Sequence, residues 1–345
     1  MVAASQILKL PRKCTFSEPE WRALARFWHP VASSASVSDR PVAARLLDEN
    51  LVVFRTSAGI TVAKDLCLHR GARLSLGAME GDQLVCGFHG FHYDRAGQCT
   101  RIPAHPGIPI PAKLCLQVFP SVERYGLIWV CLDGAPAAPL PEWPELENGA
   151  YEVIPMPSLD WNASAGRHTE NFNDVAHLSW VHVGTFGHRE TPEVIRYPVE
   201  DAGNRLSIVI PEANQHDRDI TGIRPDVISK VTYVQTIDLP FASRLLVDYH
   251  EGRHLLFFDV AAPLSASSCR IFPILGRNFG FEDTPQSFAA YNHAVLAEDQ
   301  PFVESQCPQD LPLDLHDEVH IPADLLSVRY RQKLKALGLG DEFFA

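Results

Sequence analysis

The chain has 345 residues, of which 46% are hydrophobic and 21% charged, as in a folded globular protein rather than a disordered one. Its formal net charge of −12 disfavours a nucleic-acid partner, because phosphate binding requires concentrated positive charge. Residues 1–16 lack the apolar core of a secretory leader, and no apolar run reaches the roughly 18 residues of a membrane span. We therefore expect a cytoplasmic protein without a membrane partner.

The length predicts two domains, and the first third of the chain reads as β structure. Short apolar runs bounded by turn residues predict strands. They lie at Arg45–Leu47, Leu51–Phe54, Gly59–Ala63, Gln83–Cys86 and Leu127–Cys131. A proline-rich passage, Ala135–Pro144, is typical of a linker. We therefore predict an N-terminal domain over 1–140, with its core at about 26–135, and a second domain over 141–345.

The second domain reads as mixed helix and strand. Helical patterns cover Thr169–His182, Gln286–Gln306 and about Ala323–Leu337, and strand-like runs cover Lys230–Leu264 and Cys269–Leu275. The predicted fold class is α+β: an all-β N-terminal domain, then an α+β domain whose antiparallel sheet is flanked by helices.

Two cysteines and two histidines form the first chemical motif. Cys67-Leu68-His69 is followed, after sixteen residues, by Cys86-Gly87-Phe88-His89. Two thiolates and two imidazoles can bind zinc or a Rieske [2Fe–2S] cluster, in which the cysteines hold one iron and the histidines the other. A zinc finger usually presents a cysteine pair and then a histidine pair, whereas each pair here is mixed and lies beside glycine. The pattern favours the Rieske cluster, and zinc remains the alternative.

A second motif, in the later domain, contains Asp174, His177 and His182. Five helical positions separate two side chains by roughly 140°, so the histidines can share a metal only if the helix is distorted or ends between them. Two histidines and one carboxylate with open positions suit Fe(II) and dioxygen. The best candidate for the carboxylate is Asp299, two residues before the helix-disrupting Pro301. The alternative is a solvated acidic turn formed with Glu298.

Together these motifs resemble the Rieske non-haem iron oxygenases. The resemblance rests on Cys67–Ala72, Cys86–Tyr93, the Asp-x2-His-x4-His motif and the late Glu298-Asp299 helix. The family often has proline after each cysteine, where this chain has Leu68 and Gly87.

The resemblance implies roles for these residues. Cys67, His69, Cys86 and His89 would hold the [2Fe–2S] cluster, and His177, His182 and Asp299 the mononuclear non-haem Fe(II). Asp174 would bridge His177 to His89 of the partner subunit in a homotrimer.

Further stretches, Arg26–Pro30, Glu123–Trp129 and Ala297–Gln306, are similar to bacterial methylxanthine N-demethylases. This likeness implies O2-dependent hydroxylation of an N-methyl group on a small heterocyclic or aromatic substrate, with release of formaldehyde. The chain has no Gly-rich dinucleotide fingerprint, so electrons from NAD(P)H should arrive through a separate reductase or ferredoxin. Alternatives are O-demethylation, methyl hydroxylation, ring hydroxylation, a pure electron-transfer protein and a zinc-stabilised binding module.

Substrate contacts are predicted on the helix that carries Asp299. Asn292, Val295 and Leu296 lie seven, four and three residues before it and so share its face. Asn292 offers both a donor and acceptors, and a buried amide is costly unless it is paired. Asn171 is a further candidate for substrate binding. Ordinary core packing is the alternative for Val295 and Leu296.

Overall fold

The computed structural model describes residues 9–219 and 222–340, which divide into two units, Met1–Pro139 and Leu140–Ala345. The division lies within the proline-rich passage. None of the described helices combines the length and the apolar character that a membrane span requires.

The described residues of unit 1 form one α-helix, α1, and eleven short antiparallel strands. The helix covers Glu18–Leu24. The strands are β1 His29–Ser33, β2 Val42–Leu46, β3 Glu49–Thr56, β4 Gly59–Lys64, β5 Ala78–Glu80, β6 Gln83–Val85, β7 His92–Tyr93, β8 Cys99–Arg101, β9 Val118–Phe119, β10 Ser121–Arg124 and β11 Leu127–Val130. They form three sheets in the orders β1-β11-β10, β2-β3-β4-β9 and β5-β6-β7-β8.

The predicted strands of unit 1 are present. The turn between β2 and β3 falls at Leu47 and Asp48, both with positive φ. Two successive residues with positive φ match the right-handed twist of the strands that they join.

Unit 2 is built on a nine-stranded antiparallel sheet in the order β12-β20-β18-β17-β16-β15-β14, with β13 and β19 paired beside it. The strands are β12 Glu152–Pro155, β13 Leu159–Trp161, β14 Glu200–Asp201, β15 Arg205–Asp219, β16 Gly222–Asp238, β17 Ala242–Asp248, β18 His254–Ser265, β19 Ser268–Ile271 and β20 Ile274–Arg277. The helices are α2 Ala165–Asn173, α3 Leu178–Val181, α4 Pro285–Ser305 and α5 Leu325–Ala336. The α+β fold with an antiparallel sheet is confirmed.

Three local predictions in unit 2 were wrong. Thr169–His182 is not one helix, because the helix ends at Asp174, which has extended backbone angles. Cys269–Leu275 holds parts of two strands, β19 and β20, which both pair with β18. The strand β15 was not predicted, because its second half, Gln215–Asp219, is polar and lacks the apolar alternation of a half-buried strand.

A buried ion-pair network ties the C-terminal helix to α2. Arg331 on α5 is 2% exposed and donates two hydrogen bonds, of 2.7 and 2.6 Å, to the carboxylate of Glu170 on α2. It also donates to Glu318 at 2.6 Å. A two-pronged guanidinium–carboxylate pair fixes orientation as well as distance, so the network holds α2 against α5.

Removing the charge of this network should destabilise unit 2. Arg331→Met would leave the Glu170 carboxylate without its partner, while Glu318 would keep its pair with Arg167. The variant should lower the free energy of unfolding by about 3 kcal/mol, measured by urea denaturation. The control is Lys333→Met on the same helix, which removes a partly exposed pair with Asp201 and should cost less than about 1 kcal/mol. Equal losses for both variants would contradict this account.

Candidate functional site

Two loops in unit 1 hold the predicted cluster ligands with the same backbone pattern. In each loop the glycine four residues after the cysteine donates its N–H to the cysteine carbonyl at 2.9 Å, as Gly71 does to Cys67 and Gly90 to Cys86. The cysteine N–H in turn donates to the carbonyl five residues on, at 2.8 and 2.9 Å. Both glycines have positive φ, +74° and +67°, which closes the loop without the strain that a Cβ would add.

The loops bury the thiols and expose the imidazoles. Cys67 and Cys86 are 2% and 1% exposed and belong to the apolar core of unit 1. The rings of His69 and His89 lie with centroids 4.6 Å apart, and both residues are exposed. Burial raises the pKa of Cys67, whose sulfur lies 3.3 Å from the hydroxyl of Tyr93. Two buried, adjoining thiols next to two paired imidazoles fit a cationic cluster that would stabilise the thiolates.

In unit 2, helix α2 ends before Asp174, and the two predicted iron-ligand histidines lie close together in the segment that follows. The carboxylate of Asp174 accepts hydrogen bonds from the backbone N–H groups of Ala176 at 2.8 Å and His177 at 3.3 Å, a local turn that competes with continued helix. The short helix α3 then ends at Val181, and His182 begins a 3₁₀ turn. The helix therefore ends between the histidines, as the five-residue spacing required.

Three donor atoms converge at these histidines. The Nε2 atoms of His177 and His182 lie 3.2 Å apart, and the Oδ1 atom of Asp299 lies 3.4 and 3.3 Å from them. This Oδ1 atom is buried and has no hydrogen-bond partner within the described chain. The three side chains are the one group of three or more histidine, cysteine or acidic residues that the described residues place in reach of a single metal ion.

An outer carboxylate lies against the far nitrogen of each histidine. Asp174 lies 3.3 Å from Nδ1 of His177, and Glu298 lies 2.9 Å from Nδ1 of His182. Thr185 donates to the same Glu298 oxygen at 2.7 Å. A carboxylate at Nδ1 favours the tautomer that leaves the Nε2 lone pair for a metal. Glu298, which the sequence left as a possible solvated residue, therefore orients His182, one of the predicted ligands.

The pKa directions show that the three side chains of the trio are electrostatically coupled. Burial lowers the pKa of His177, but the carboxylates of Asp174 and Asp299 outweigh burial and raise it to about 9. Burial raises the pKa of Asp299, and the two histidines reverse that effect and lower it. Burial lowers the pKa of His182. The donor set of two imidazoles and one carboxylate fits Fe(II).

A cavity of about 110 Å³ adjoins the three donors. Asn292, Val295 and Leu296 of α4 line it, where the sequence predicts substrate contacts. Asn292 is 5% exposed, and its Nδ2 donates to the backbone carbonyl of Phe288 at 2.7 Å, so its own helix satisfies part of the amide. The remaining wall is mostly apolar and comes from the sheet and from α2: Phe172, Leu245, Val247, Leu255, Phe257 and Leu275.

Asn171, which the sequence suggests as a candidate for substrate binding, lies beside Asp299. Its side chain hydrogen-bonds Asp299 and helps to lower the pKa of that carboxylate. It does not belong to the cavity lining drawn from the described residues. Asn171 therefore supports a donor of the metal trio in this structure.

Comparisons with known proteins agree with both motifs. Residues 27–120 match the Rieske [2Fe-2S] domain family, and residues 161–339 match the vanillate O-demethylase oxygenase C-terminal domain family. The first match confirms the predicted iron–sulfur domain rather than a zinc module. The second shows an oxygenase domain after it, which a simple electron carrier would lack.

Full-length relatives extend this likeness over nearly the whole chain. Methylxanthine N1-demethylase NdmA of Pseudomonas putida is 33% identical over 322 residues, which are 91% of this chain and 89% of the relative. Methylxanthine N3-demethylase NdmB of the same organism is 32% identical over 92% of this chain and 90% of the relative. The solved structure of NdmA with caffeine superposes with a TM-score of 0.82 at 32% identity, covering 92% of both chains.

Loss of the carboxylate of the trio should abolish iron binding. We expect Asp299→Ala to weaken Fe(II) binding, measured by titration of chelator-treated protein, by more than about 100-fold, the upper end for loss of an outer-shell partner. Glu304→Gln on the same helix is the control, because that side chain contacts Asn162 and Gln300. It should bind Fe(II) like the parent protein, and unchanged binding by Asp299→Ala would refute the assignment.

Proposed function

This chain belongs to the Rieske non-haem iron oxygenases, and from that membership we propose that it N-demethylates a small N-methyl heterocycle of the methylxanthine type. One observation carries the proposal: two imidazole nitrogens and a carboxylate oxygen meet within 3.4 Å beside a small, mostly apolar cavity. The two full-length relatives at about one-third identity are named as methylxanthine N-demethylases.

The two units take different roles in this proposal. In Met1–Pro139, Cys67, His69, Cys86 and His89 would hold the [2Fe–2S] cluster that accepts electrons from a separate reductase. In Leu140–Ala345, His177, His182 and Asp299 would hold the mononuclear iron. When bound, the cluster supplies electrons and the iron activates dioxygen, so that one oxygen atom enters a methyl C–H bond and the other leaves as water.

The side chains of the cavity would position the methyl group. Leu296 and Val295 lie one turn before Asp299 on α4 and present apolar surface beside the trio, which excludes water and accommodates a methyl group. Asn292, a further turn away, provides an amide that can bind a ring carbonyl or ring nitrogen. The hydroxymethyl amine formed by the reaction then collapses, as its C–N bond breaks, to formaldehyde and the ring N–H.

Asp174 would connect the two kinds of metal site between subunits. Its side chain is 29% exposed while it lies 3.3 Å from His177, so one edge of the carboxylate stays accessible. We propose that this edge meets His89 of the partner subunit, whose imidazole is exposed. A shared carboxylate between two imidazoles provides a short, polar route for an electron.

Exposed apolar side chains at both sites support a homotrimer. In unit 1, Leu76 and Phe88 are 79% and 63% exposed beside the cluster loops. In unit 2, Trp180, Val183 and Phe302 are 56%, 44% and 59% exposed, each within three residues of a member of the trio. Apolar surface concentrated around such sites is typical of an interface. We propose that unit 1 of one subunit docks on unit 2 of the next.

The demethylation proposal predicts formaldehyde in a single turnover. Protein reduced with dithionite without oxygen, then mixed with oxygenated buffer and caffeine or theobromine, should release formaldehyde in equal amount to the demethylated product. Chemical reduction makes the result independent of the natural reductase. Hydroxylated product without formaldehyde would favour ring or methyl hydroxylation instead, and reduction followed by reoxidation without any product would support an electron carrier.

The trimer proposal predicts that a charge at the cluster edge prevents assembly. Phe88→Asp should shift the sedimentation mass from trimer to monomer while labile sulfide stays unchanged, because the side chain is 63% exposed and makes little contribution to the core. Val122→Asp is the control, since Val122 lies in a different sheet of unit 1, on β10. A parent protein that sediments as a monomer would contradict the proposal.

A further inference from the structure

A buried acid that the proposed mechanism does not use lies in the wall of the cavity. Asp259 on β18 is 3% exposed and lines the cavity. Side chains alternate between the two faces of a strand, so Asp259 shares its face with Phe257 and Leu255, which line the same cavity. On the neighbouring strand Ser243 lies directly opposite Asp259, and it hydrogen-bonds Asn173 rather than the acid.

Only one oxygen of this carboxylate is paired. Nε2 of His168, on α2, lies 2.7 Å from Oδ1 of Asp259, and His168 is 1% exposed. The ring of Trp161 packs edge-on against the imidazole, with centroids 4.6 Å apart, and so fixes its plane. The second oxygen, Oδ2, is buried and has no hydrogen-bond partner among the described residues.

A hydrogen-bond donor to Oδ2 would stabilise Asp259 in this position. A buried carboxylate with an empty oxygen is costly, because that oxygen has exchanged water for apolar surroundings without a new hydrogen bond. Three other polar groups of the wall have partners within it. Tyr233 donates to Oε1 of Gln215, and Nε2 of Gln215 donates to the Tyr249 hydroxyl, both at 2.6 Å, so these groups are paired with one another. Asp259 thus brings a carboxylate with one unused acceptor oxygen to the wall.

We propose that Asp259 is a specificity-determining residue that accepts a hydrogen bond from a ring N–H of the substrate. The inference rests on the proposed demethylation and narrows its substrate class. The preferred substrate carries at least one N-methyl group, which points to the metal trio, and at least one unsubstituted ring N–H, which points to Asp259. A fully N-methylated ring would place a methyl group against the carboxylate and leave it unsatisfied. His168 acts as a positioning residue that holds the other oxygen.

The parent holoprotein tests this directly by equilibrium binding, without reductant. Caffeine has no ring N–H, whereas theobromine, theophylline and paraxanthine each have one, at three different ring positions. At least one of these three should bind about tenfold or more tightly than caffeine, as expected for a hydrogen bond to a charged acceptor. Equal binding of all four xanthines would overturn the proposal, and so would the absence of binding by all four.

The variant Asp259→Asn tests the residue itself. Asparagine keeps the shape and the acceptor for the Nε2–H of His168, but its NH2 group replaces Oδ2 with a donor. The N–H ligand should bind about tenfold more weakly, while caffeine binding should change by less than about twofold. The control is Tyr233→Phe, which alters another part of the wall and should leave the ratio between the two ligands unchanged. A uniform loss for all ligands in Asp259→Asn would show a purely structural role.

Binding and turnover together separate the two proposals. In one outcome, an N–H xanthine binds preferentially in the equilibrium experiment yet releases no formaldehyde in a single turnover. That result would contradict the demethylase proposal but support recognition by Asp259. Formaldehyde release with no preference for an N–H ligand would keep the function and remove the recognition. If Asp259→Asn does not fold, the comparison of the four ligands on the parent protein still decides.

Discussion

The convergence of three donor atoms, Nε2 of His177, Nε2 of His182 and Oδ1 of Asp299, is the constraint on which unit 2 depends. At 3.2–3.4 Å these atoms cannot all be satisfied by one another, since two imidazole nitrogens facing each other share at most one proton. A divalent cation satisfies all three at once. The surrounding structure serves to hold this arrangement: the turn at Asp174, the carboxylates at each Nδ1, and the helix α4 that carries Asp299.

In unit 1 the predicted cluster ligands differ in burial. Its two thiols belong to the apolar core, while the two imidazoles reach the surface through loops of matching hydrogen-bond pattern. Burial would protect the cysteine-bound side of a cluster from solvent, and the exposed histidines would allow electron transfer to a partner. In the proposed assembly, the exposed side of one subunit faces the accessible edge of Asp174 in the next.

Residues whose chemistry depends on local spacing could be predicted from the sequence. Each Cys–His loop is short, so its spacing places one cysteine close to one histidine. The periodic pattern of α4 places Asn292, Leu296 and Asp299 on one face. The requirement that a helix end between His177 and His182 followed from helical geometry. The earlier helix end at Asp174 did not, because that turn depends on side-chain hydrogen bonds that compete only weakly with helix.

Features that depend on contacts distant in sequence could not be predicted. Glu298 orients His182 across 116 residues, and Asp259 meets His168 across 91 residues, so neither pair has a local pattern. The polar half of β15 gave no strand signal because its pairing with β16, rather than its own alternation, keeps it extended. The residues around the predicted ligands depend on tertiary contacts and could not be predicted, whereas the predicted ligands themselves could be named from the sequence.

The most direct test of this account is the iron, zinc and acid-labile sulfide content of anaerobically purified protein. A Rieske cluster together with a mononuclear site predicts about three irons and two sulfides per chain, with negligible zinc. About two irons and two sulfides that cannot be raised by added Fe(II) would contradict the assignment of His177, His182 and Asp299. Zinc without sulfide would contradict both metal centres.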